Sequence, residues 1–259
     1  MKSFKSLFLF SLLFVVLFSS FAQTSDSIKN SKIQKPSIVF VHGLWADGSC
    51  WNMIIEKLEA EGYNVISAQN PTTSLQDDVA ATKRALDRTT GPVILVGHSW
   101  GGFVITEAGN DPRVVGLVYV AALVPDANET AVDILAKAAP NSLNKYIEVH
   151  NGFMTLTKEG IKNAFAADLS AKQQLVLYAT QTPAAQSVFG VKNSIPAWKT
   201  KPSWYVVANQ DEAINPYLER LLAKEINATT IEVNASHLVM LSKPNEVLKL
   251  IQEAATHKY

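Results

Sequence analysis

Alternating apolar and polar stretches divide most of the chain into predicted strands and helices that follow one another. Short runs rich in apolar and β-branched residues predict strands at 37–41, 63–67, 93–96, 114–124, 203–208 and 229–233. Between most of these runs, apolar residues recur every three or four positions, as in an amphipathic helix. The alternation predicts an α/β fold with a mostly parallel sheet of about six strands and helices on both faces.

One long segment interrupts this alternation. Residues 125–197 show no strand signal but contain helical spacings, such as that of Ile161 and Phe165. A helical insertion between two strands of an α/β sheet is typical of a cap over an active site. We therefore expect a core made of residues 36–124 and 198–256, with a helical cap inserted before the penultimate strand.

The first residues have the pattern of a secretory signal peptide. Two lysines precede an apolar segment at residues 7–18, and small residues follow it just before a predicted cleavage site near Ala22. The apolar segment is shorter than the roughly 20 residues of a membrane span. We expect residues 1–22 to be removed and 23–35 to form a flexible lead-in. The mature protein is then exported, periplasmic or secreted, without stable membrane association.

Charge and cysteine content narrow the classes of function. The chain has 23 basic and 23 acidic residues, so it lacks the basic excess that usually accompanies nucleic-acid binding. Its single cysteine, Cys50, excludes an internal disulfide and cannot build a zinc site alone. We therefore expect a small-molecule substrate and no nucleic-acid partner.

The main candidate for chemistry is the stretch Gly97-His98-Ser99-Trp100-Gly101, between a buried strand and a helix. A serine at a sharp strand-to-helix turn, with glycines two residues before and after it, is the G-x-S-x-G nucleophile elbow. Gly97 and Gly101 suit this turn because the strand and the helix come too close there for side chains. We predict Ser99 as a nucleophile; the alternative is a buried serine in an ordinary tight turn.

A serine nucleophile needs a base, and a carboxylate must hold that base in the right tautomer. Of the five histidines, only His237 follows the last predicted strand, where such a fold supplies its base. Asp211 and Glu212 both follow the penultimate strand, and the shorter arm of Asp211 favours it as the acid. Asp126, after the preceding strand, is the alternative acid. The order Ser99, Asp211, His237 is the one expected of this architecture.

The oxyanion of a tetrahedral intermediate needs hydrogen-bond donors. The backbone N–H of Trp100, directly after the predicted nucleophile, is one candidate. The backbone N–H of Leu44, in the loop after the first strand, is the other. Gly43 allows this loop to approach closely, and we expect His42 to brace the loop rather than to transfer protons.

Several stretches together resemble the α/β-hydrolase superfamily, namely VFVHGLWADGSCW at 39–51, VGHSWGG at 96–102, NQDEAINP at 209–216 and NASHLVMLSKPNEV at 234–247. Within the superfamily they are similar to small bacterial hydrolases related to esterases and hydroxynitrile lyases. The resemblance covers nearly all of the predicted α/β domain. It implies the α/β-hydrolase fold, the triad Ser99, Asp211 and His237, and an oxyanion hole at Leu44 and Trp100.

These residues predict a serine hydrolase that cleaves a carboxylic ester of a small, largely apolar substrate through an acyl-enzyme intermediate. Such a mechanism needs no metal or organic cofactor. Apolar cap residues, among them Phe153 and Phe165, favour such a substrate if they line the pocket; alternatively they only pack cap helices together. Other functions use the same scaffold: hydroxynitrile lyase chemistry, perhydrolase chemistry, and ligand binding with slow turnover or none.

Overall fold

The computed structural model describes residues 35–259. The predicted signal peptide and nearly all of the predicted lead-in lie outside the described residues. Within the described part of the chain, no helix is both long enough and apolar enough to cross a membrane.

The strands and α-helices of the described residues are numbered in the order of the chain. The strands are β1 (Ser37–Val41), β2 (Val65–Ala68), β3 (Val93–His98), β4 (Val114–Val120), β5 (Ile147–His150), β6 (Phe153–Leu156), β7 (Ala184–Ala185), β8 (Ser203–Ala208) and β9 (Thr229–Val233). The α-helices are α1 (Asn52–Ala60), α2 (Leu75–Leu86), α3 (Trp100–Ala108), α4 (Ala131–Leu135), α5 (Lys158–Gly160), α6 (Ala171–Thr180), α7 (Pro216–Glu225), α8 (Val239–Ser242) and α9 (Pro244–Thr256).

Six of these strands form one parallel sheet in the order β2-β1-β3-β4-β8-β9. The predicted α/β fold with about six mostly parallel strands is therefore confirmed. β3 lies between β1 and β4, and all six of its residues are buried. Because the strands are parallel, their carboxyl ends share one edge of the sheet, where α/β proteins bind their ligands.

The fourth strand is shorter than its apolar run predicts. Pairing stops at Val120, and the following residues stay buried because they wrap around Ser99. The Ser99 N–H lies 3.2 Å from the carbonyl oxygens of both Val120 and Ala121, and the Leu123 N–H donates to the Ser99 carbonyl at 3.1 Å. The Ala121 N–H still donates to the Val206 carbonyl oxygen of β8 at 2.9 Å, so the apolar character of residues 121–124 reflects burial around the turn after β3 as well as pairing at their start.

The segment between β4 and β8 is not purely helical, so the prediction of an all-helical cap was wrong. β5, β6 and β7 form a small antiparallel sheet beside α4, α5 and α6. β5 and β6 are joined at Asn151 and Gly152, whose φ angles are 51° and 81°. Asn-Gly is the strongest short hairpin signal in a sequence. The hairpin has few buried residues, so it lacks the apolar run by which the other strands were predicted.

Candidate active site

Ser99 occupies a strained turn between β3 and α3. Its φ is 54° and its ψ is −121°, a conformation that is costly for a residue with a side chain. Two glycines make the turn possible. A Cβ on Gly97 would lie 2.5 Å from the Gly101 carbonyl oxygen, and one on Gly101 would lie 2.9 Å from the His42 carbonyl oxygen. This is the geometry of a nucleophile elbow, which lifts a serine hydroxyl above the end of the sheet.

Asp211 and His237 meet at the same edge of the sheet. His237 Nδ1 lies 2.5 Å from Asp211 Oδ2, and both side chains are buried. The other oxygen, Asp211 Oδ1, accepts hydrogen bonds from the backbone N–H groups of Ala213 at 2.6 Å and Ile214 at 2.9 Å. The carboxylate is therefore fixed from both sides, and it holds the His237 proton on Nδ1. That tautomer leaves Nε2 free to accept a proton.

His98 connects the elbow to the loop that carries His237. The two rings are 4.5 Å apart, and His98 Nε2 donates to the His237 carbonyl oxygen at 3.1 Å. Burial, and then the proximity of His237, hold the pKa of His98 well below its usual value. Neutral His98 thus ties residue 98, next to Ser99, to residue 237. Sequence reasoning missed this pairing because no local pattern joins two residues so far apart in the chain.

Within the described residues, Ser99 Oγ does not donate a hydrogen bond to His237. Catalytic hydrogen bonds in ligand-free structures are often long and tighten only when substrate binds. The placement of the two residues on joined loops keeps them together at the carboxyl edge of the sheet.

The loop after β1 passes directly over the elbow. A Cβ on Gly43 would lie 2.6 Å from Ser99 Cβ and 3.0 Å from the His98 carbonyl oxygen. Leu44 follows at once, and Trp100 is the first residue of α3, where backbone N–H groups have no intrahelical acceptor. Neither the Leu44 nor the Trp100 N–H donates in the backbone hydrogen bonds of the described loops and helix ends.

His42 braces this loop. Its Nε2 accepts the Asn70 N–H at 2.9 Å, so the ring proton is on Nδ1, which donates to the Gly43 carbonyl oxygen at 2.9 Å. Burial lowers the pKa of His42, which keeps the ring neutral. Since both nitrogens are engaged, His42 has no free atom for proton transfer.

Asp126, the alternative acid, does not contact His237. Its side chain is about half exposed and pairs with Lys199, at 2.5 Å between Oδ1 and Nζ. The hydrogen bond to Lys199 lowers the pKa of Asp126. Glu212 also faces away, because its side chain accepts the Ser142 N–H at 3.3 Å. Of the carboxylates after these strands, only Asp211 binds His237 in the described structure.

A second buried carboxylate, Asp78 on α2, holds the residue after the elbow serine. Asp78 Oδ2 accepts the indole N–H of Trp100 at 2.8 Å, and Oδ1 accepts the Thr72 N–H at 2.8 Å. Burial raises the pKa of Asp78 to about 6. Sequence reasoning had no signal for this contact, because Asp77 and Asp78 both resemble ordinary acidic residues in the first turn of a helix.

We expect Trp100→Phe to lower the free energy of unfolding by about 1–3 kcal/mol, because it leaves Asp78 Oδ2 buried without a donor. Urea denaturation at pH 7.5 measures the effect. The matched control is Trp51→Phe: Trp51 is equally buried, but no acceptor within the described residues reaches its indole N–H. Equal losses in both variants would show that the Asp78 bond contributes nothing.

Two residues of the cap segment contact the loop that carries His237, and Asn141 of the same segment donates to the Asp211 carbonyl oxygen at 3.1 Å. The Phe165 ring lies 5.3 Å from the His237 ring and 6.0 Å from that of Trp45. Asp168 accepts the Ser236 N–H at 3.1 Å and also binds the Ser236 hydroxyl. Phe165 is the last residue of a π-helical turn, Ile161–Phe165. Phe153, by contrast, is 40% exposed, and among the ring contacts of the described residues it makes none with His237.

The described residues contain no cluster of three or more His, Cys, Asp or Glu side chains that could hold a metal ion. The single cysteine, Cys50, is buried, and burial raises the pKa of its thiol well above the usual value.

Comparisons with known proteins agree with this architecture. The pyrethroid hydrolase of Sphingobium wenxiniae is 26% identical over 250 residues, which cover 84% of this chain and 87% of that protein. The carbendazim hydrolyzing esterase of a Nocardioides species is 33% identical over 122 residues, which cover 40% of this chain and 49% of that protein. The crystal structure of a pyrethroid hydrolase from Sphingobium faniae JZ-2 has the same fold. Its TM-score is 0.73 at 21% identity, over 85% of this chain and 97% of that chain.

The family assignment rests on the chain as a whole rather than on the elbow alone. A model of the alpha/beta hydrolase family matches residues 38–250, which include most of β1, all of β3 and β8, and the loop that carries His237. Since this match spans well over half of the chain, the protein belongs to the alpha/beta hydrolase family, as its motifs predicted.

Proposed function

We propose that this protein is a serine hydrolase that cleaves carboxylic esters of small, largely apolar compounds through an acyl-enzyme intermediate. The observation that carries the proposal is the buried hydrogen bond of 2.5 Å between Asp211 and His237, on a loop tied to the strained turn at Ser99. The relatives named for esterase and pyrethroid hydrolase activity support ester cleavage as the reaction.

In the first half-reaction, Ser99 Oγ attacks the ester carbonyl carbon while its proton passes to His237 Nε2. The oxyanion that forms is held by the N–H groups of Leu44 and Trp100. The bond from carbon to the alcohol oxygen then breaks, and the leaving oxygen takes the proton from His237. Asp211 stays ionised and stabilises the imidazolium. The product is an alcohol, and the acyl group remains on Ser99.

In the second half-reaction, His237 Nε2 takes a proton from water, and the water oxygen attacks the acyl carbon. The second tetrahedral intermediate uses the same two N–H donors. Its collapse breaks the bond to Ser99 Oγ, which recovers its proton from His237, and the carboxylic acid leaves. No step needs a group beyond those of the chain and water.

A fluorophosphonate probe tests the proposal directly, because it reacts with activated serines and not with ordinary ones. We expect the probe to attach to Ser99, as located by peptide mass spectrometry, and to abolish hydrolysis of p-nitrophenyl esters in proportion to labelling. Heat-denatured protein is the control for non-specific attachment. Failure of folded protein to react at Ser99, or hydrolysis that survives full labelling, would overturn the proposal.

Phe165 supports the apolar part of the proposal because its ring packs against that of His237. We expect Phe165→Leu to enlarge the space beside His237 and to raise kcat/KM for p-nitrophenyl hexanoate relative to the acetate by about tenfold. The control is Phe189→Leu, a half-buried cap residue that makes no ring contact with His237. An unchanged chain-length profile in Phe165→Leu would show that Phe165 only packs the cap.

A further inference from the structure

Glu219 on α7 is a buried carboxyl group that the proposed mechanism does not use. Its side chain has no exposed surface. Oε2 accepts the Ala208 N–H at 2.8 Å, whereas no donor within the described residues reaches Oε1. Burying a carboxylate oxygen without a hydrogen-bond donor costs free energy, so a neighbouring group is expected to compensate for this cost.

The neighbouring acidic group is the side chain of Asp211, the predicted acid of the triad. The Asp211 N–H donates to the carbonyl oxygen of Ala208, the same residue whose N–H binds Glu219. Ala208 therefore holds both residues at the end of β8, and the carboxylate of Asp211 is close enough to raise the pKa of Glu219. Two carboxylates so close in a dry site cannot both be ionised at low cost, so one of them holds a proton.

The proton belongs to Glu219. Asp211 already accepts three hydrogen bonds, from the N–H groups of Ala213 and Ile214 and from the His237 ring. Glu219 has only the Ala208 N–H. Burial, and next the charge of Asp211, hold the pKa of Glu219 well above its ordinary value.

Other polar and charged groups around Glu219 do not offset this. The Arg220 guanidinium, the neighbouring cation on α7, is engaged by Glu232 at 2.8 Å and by Asn209. From β8, the Tyr205 hydroxyl donates to the Ala122 carbonyl oxygen at 2.6 Å.

We propose that Glu219 is a positioning residue of the active site: its protonated carboxyl donates from Oε1 to the Asp211 carboxylate and thereby moderates the basicity of Asp211 and His237. The proposal rests on the proposed function, in which Asp211 and His237 are the acid and the base. It gives the orphaned Oε1 a partner and leaves a single negative charge on the pair. A proton shared in this way makes the charge of the active site depend on Glu219, a residue that does not contact the substrate.

The first test measures the proton on Glu219 without any activity assay. A glutamate whose pKa is raised on folding stabilises the fold fully below its ordinary pKa of 4.5, and this contribution is lost as pH rises. Glu219→Gln has no ionisable group at this position, so its stability does not change with pH in this way. We therefore expect the unfolding constant of wild type, relative to that of Glu219→Gln, to rise about tenfold per pH unit above that value while folded Glu219 stays protonated.

Urea unfolding at half-unit steps from pH 5 to pH 8 gives this ratio. The matched control is Glu225→Gln, an exposed residue on the same helix, for which we expect no growth of the ratio with pH. A constant ratio for Glu219→Gln would overturn the proposal, because it would mean that Glu219 is ionised in the folded protein.

The second test is the pH profile of kcat/KM, whose acid limb reports protonation of the free base. Glu219→Gln keeps an N–H donor toward Asp211, so we expect its acid limb to stay where the wild-type limb lies. Glu219→Leu removes the donor, so His237 is protonated more readily and the limb should move to higher pH by about half a unit or more. A merely structural role would lower stability in Glu219→Leu without moving the limb, and that result would also overturn the proposal. If Ser99 fails to react with the fluorophosphonate while the stability ratio still grows with pH, the result contradicts the proposed function. The same result still supports a protonated Glu219.

Discussion

Ser99→Ala is expected to reduce kcat for ester hydrolysis by about 10⁶-fold, the scale of loss when a serine hydrolase is deprived of its nucleophile. The variant keeps the Asp211–His237 pair and both backbone donors, so the remaining activity reports binding and oxyanion stabilisation alone. The measurement is the steady-state rate with p-nitrophenyl acetate, together with active-site titration by the fluorophosphonate. Near wild-type turnover in Ser99→Ala would exclude the acyl-enzyme mechanism.

The interpretation requires that the variant stay folded, and the backbone at Ser99 allows this to be checked. Alanine also carries a Cβ, so it suffers the same strain at φ 54° and should leave the free energy of unfolding nearly unchanged. Ser99→Gly removes the strain and should raise the free energy of unfolding by about 1 kcal/mol, although it is equally inactive. Ser49→Ala, an exposed serine in the loop before α1, is the matched control and should retain full activity.

Asp211→Asn is expected to lower kcat by about 10⁴-fold while the fold remains intact. The asparagine oxygen would keep the hydrogen bonds from the Ala213 and Ile214 N–H groups, which turns the amide NH₂ toward His237. His237 Nδ1 must then accept rather than donate. The ring proton moves to Nε2, where Ser99 needs an acceptor, so the base is held in the wrong tautomer.

Asp126→Asn is the paired control, because Asp126 was the alternative acid and lies half exposed in an ion pair with Lys199. We expect its kcat to stay within about twofold of wild type, since exposed ion pairs contribute little. Parallel assays of both variants at the pH optimum decide between the two acids. A severe loss in Asp126→Asn with activity retained in Asp211→Asn would reverse the assignment.

Local features of the chain were predictable because they depend on neighbouring residues only. A strand buried on both faces must be apolar along its whole length, which is why β1, β3, β4 and β8 were visible as runs. The elbow was visible for a similar reason, since a strained serine needs glycines at fixed offsets from it. The small sheet of the cap was missed because its strands are mostly exposed, although Asn151-Gly152 is a sequence signal for a hairpin.

Contacts between distant residues were not predictable. Asp78 and Trp100, like His98 and His237, are pairs that no spacing along the chain brings together. Their chemistry follows from burial: the same carboxyl group is an ordinary surface charge at Glu212 and a protonated acid at Glu219. Burial and hydrogen-bond partners set the charge of a group, and both depend on the complete packing.

The sequence by itself determined the α/β fold, the family, Ser99 as the candidate nucleophile and the strand ends that carry Asp211 and His237, because strand burial and tight turns leave local marks on composition. Only the tertiary structure decided which carboxylate binds His237, which nitrogen of His42 carries its proton, and where Glu219 and Asp78 lie. Those choices depend on distances between residues far apart in the chain, and a hydrogen bond either forms or fails within a few tenths of an ångström.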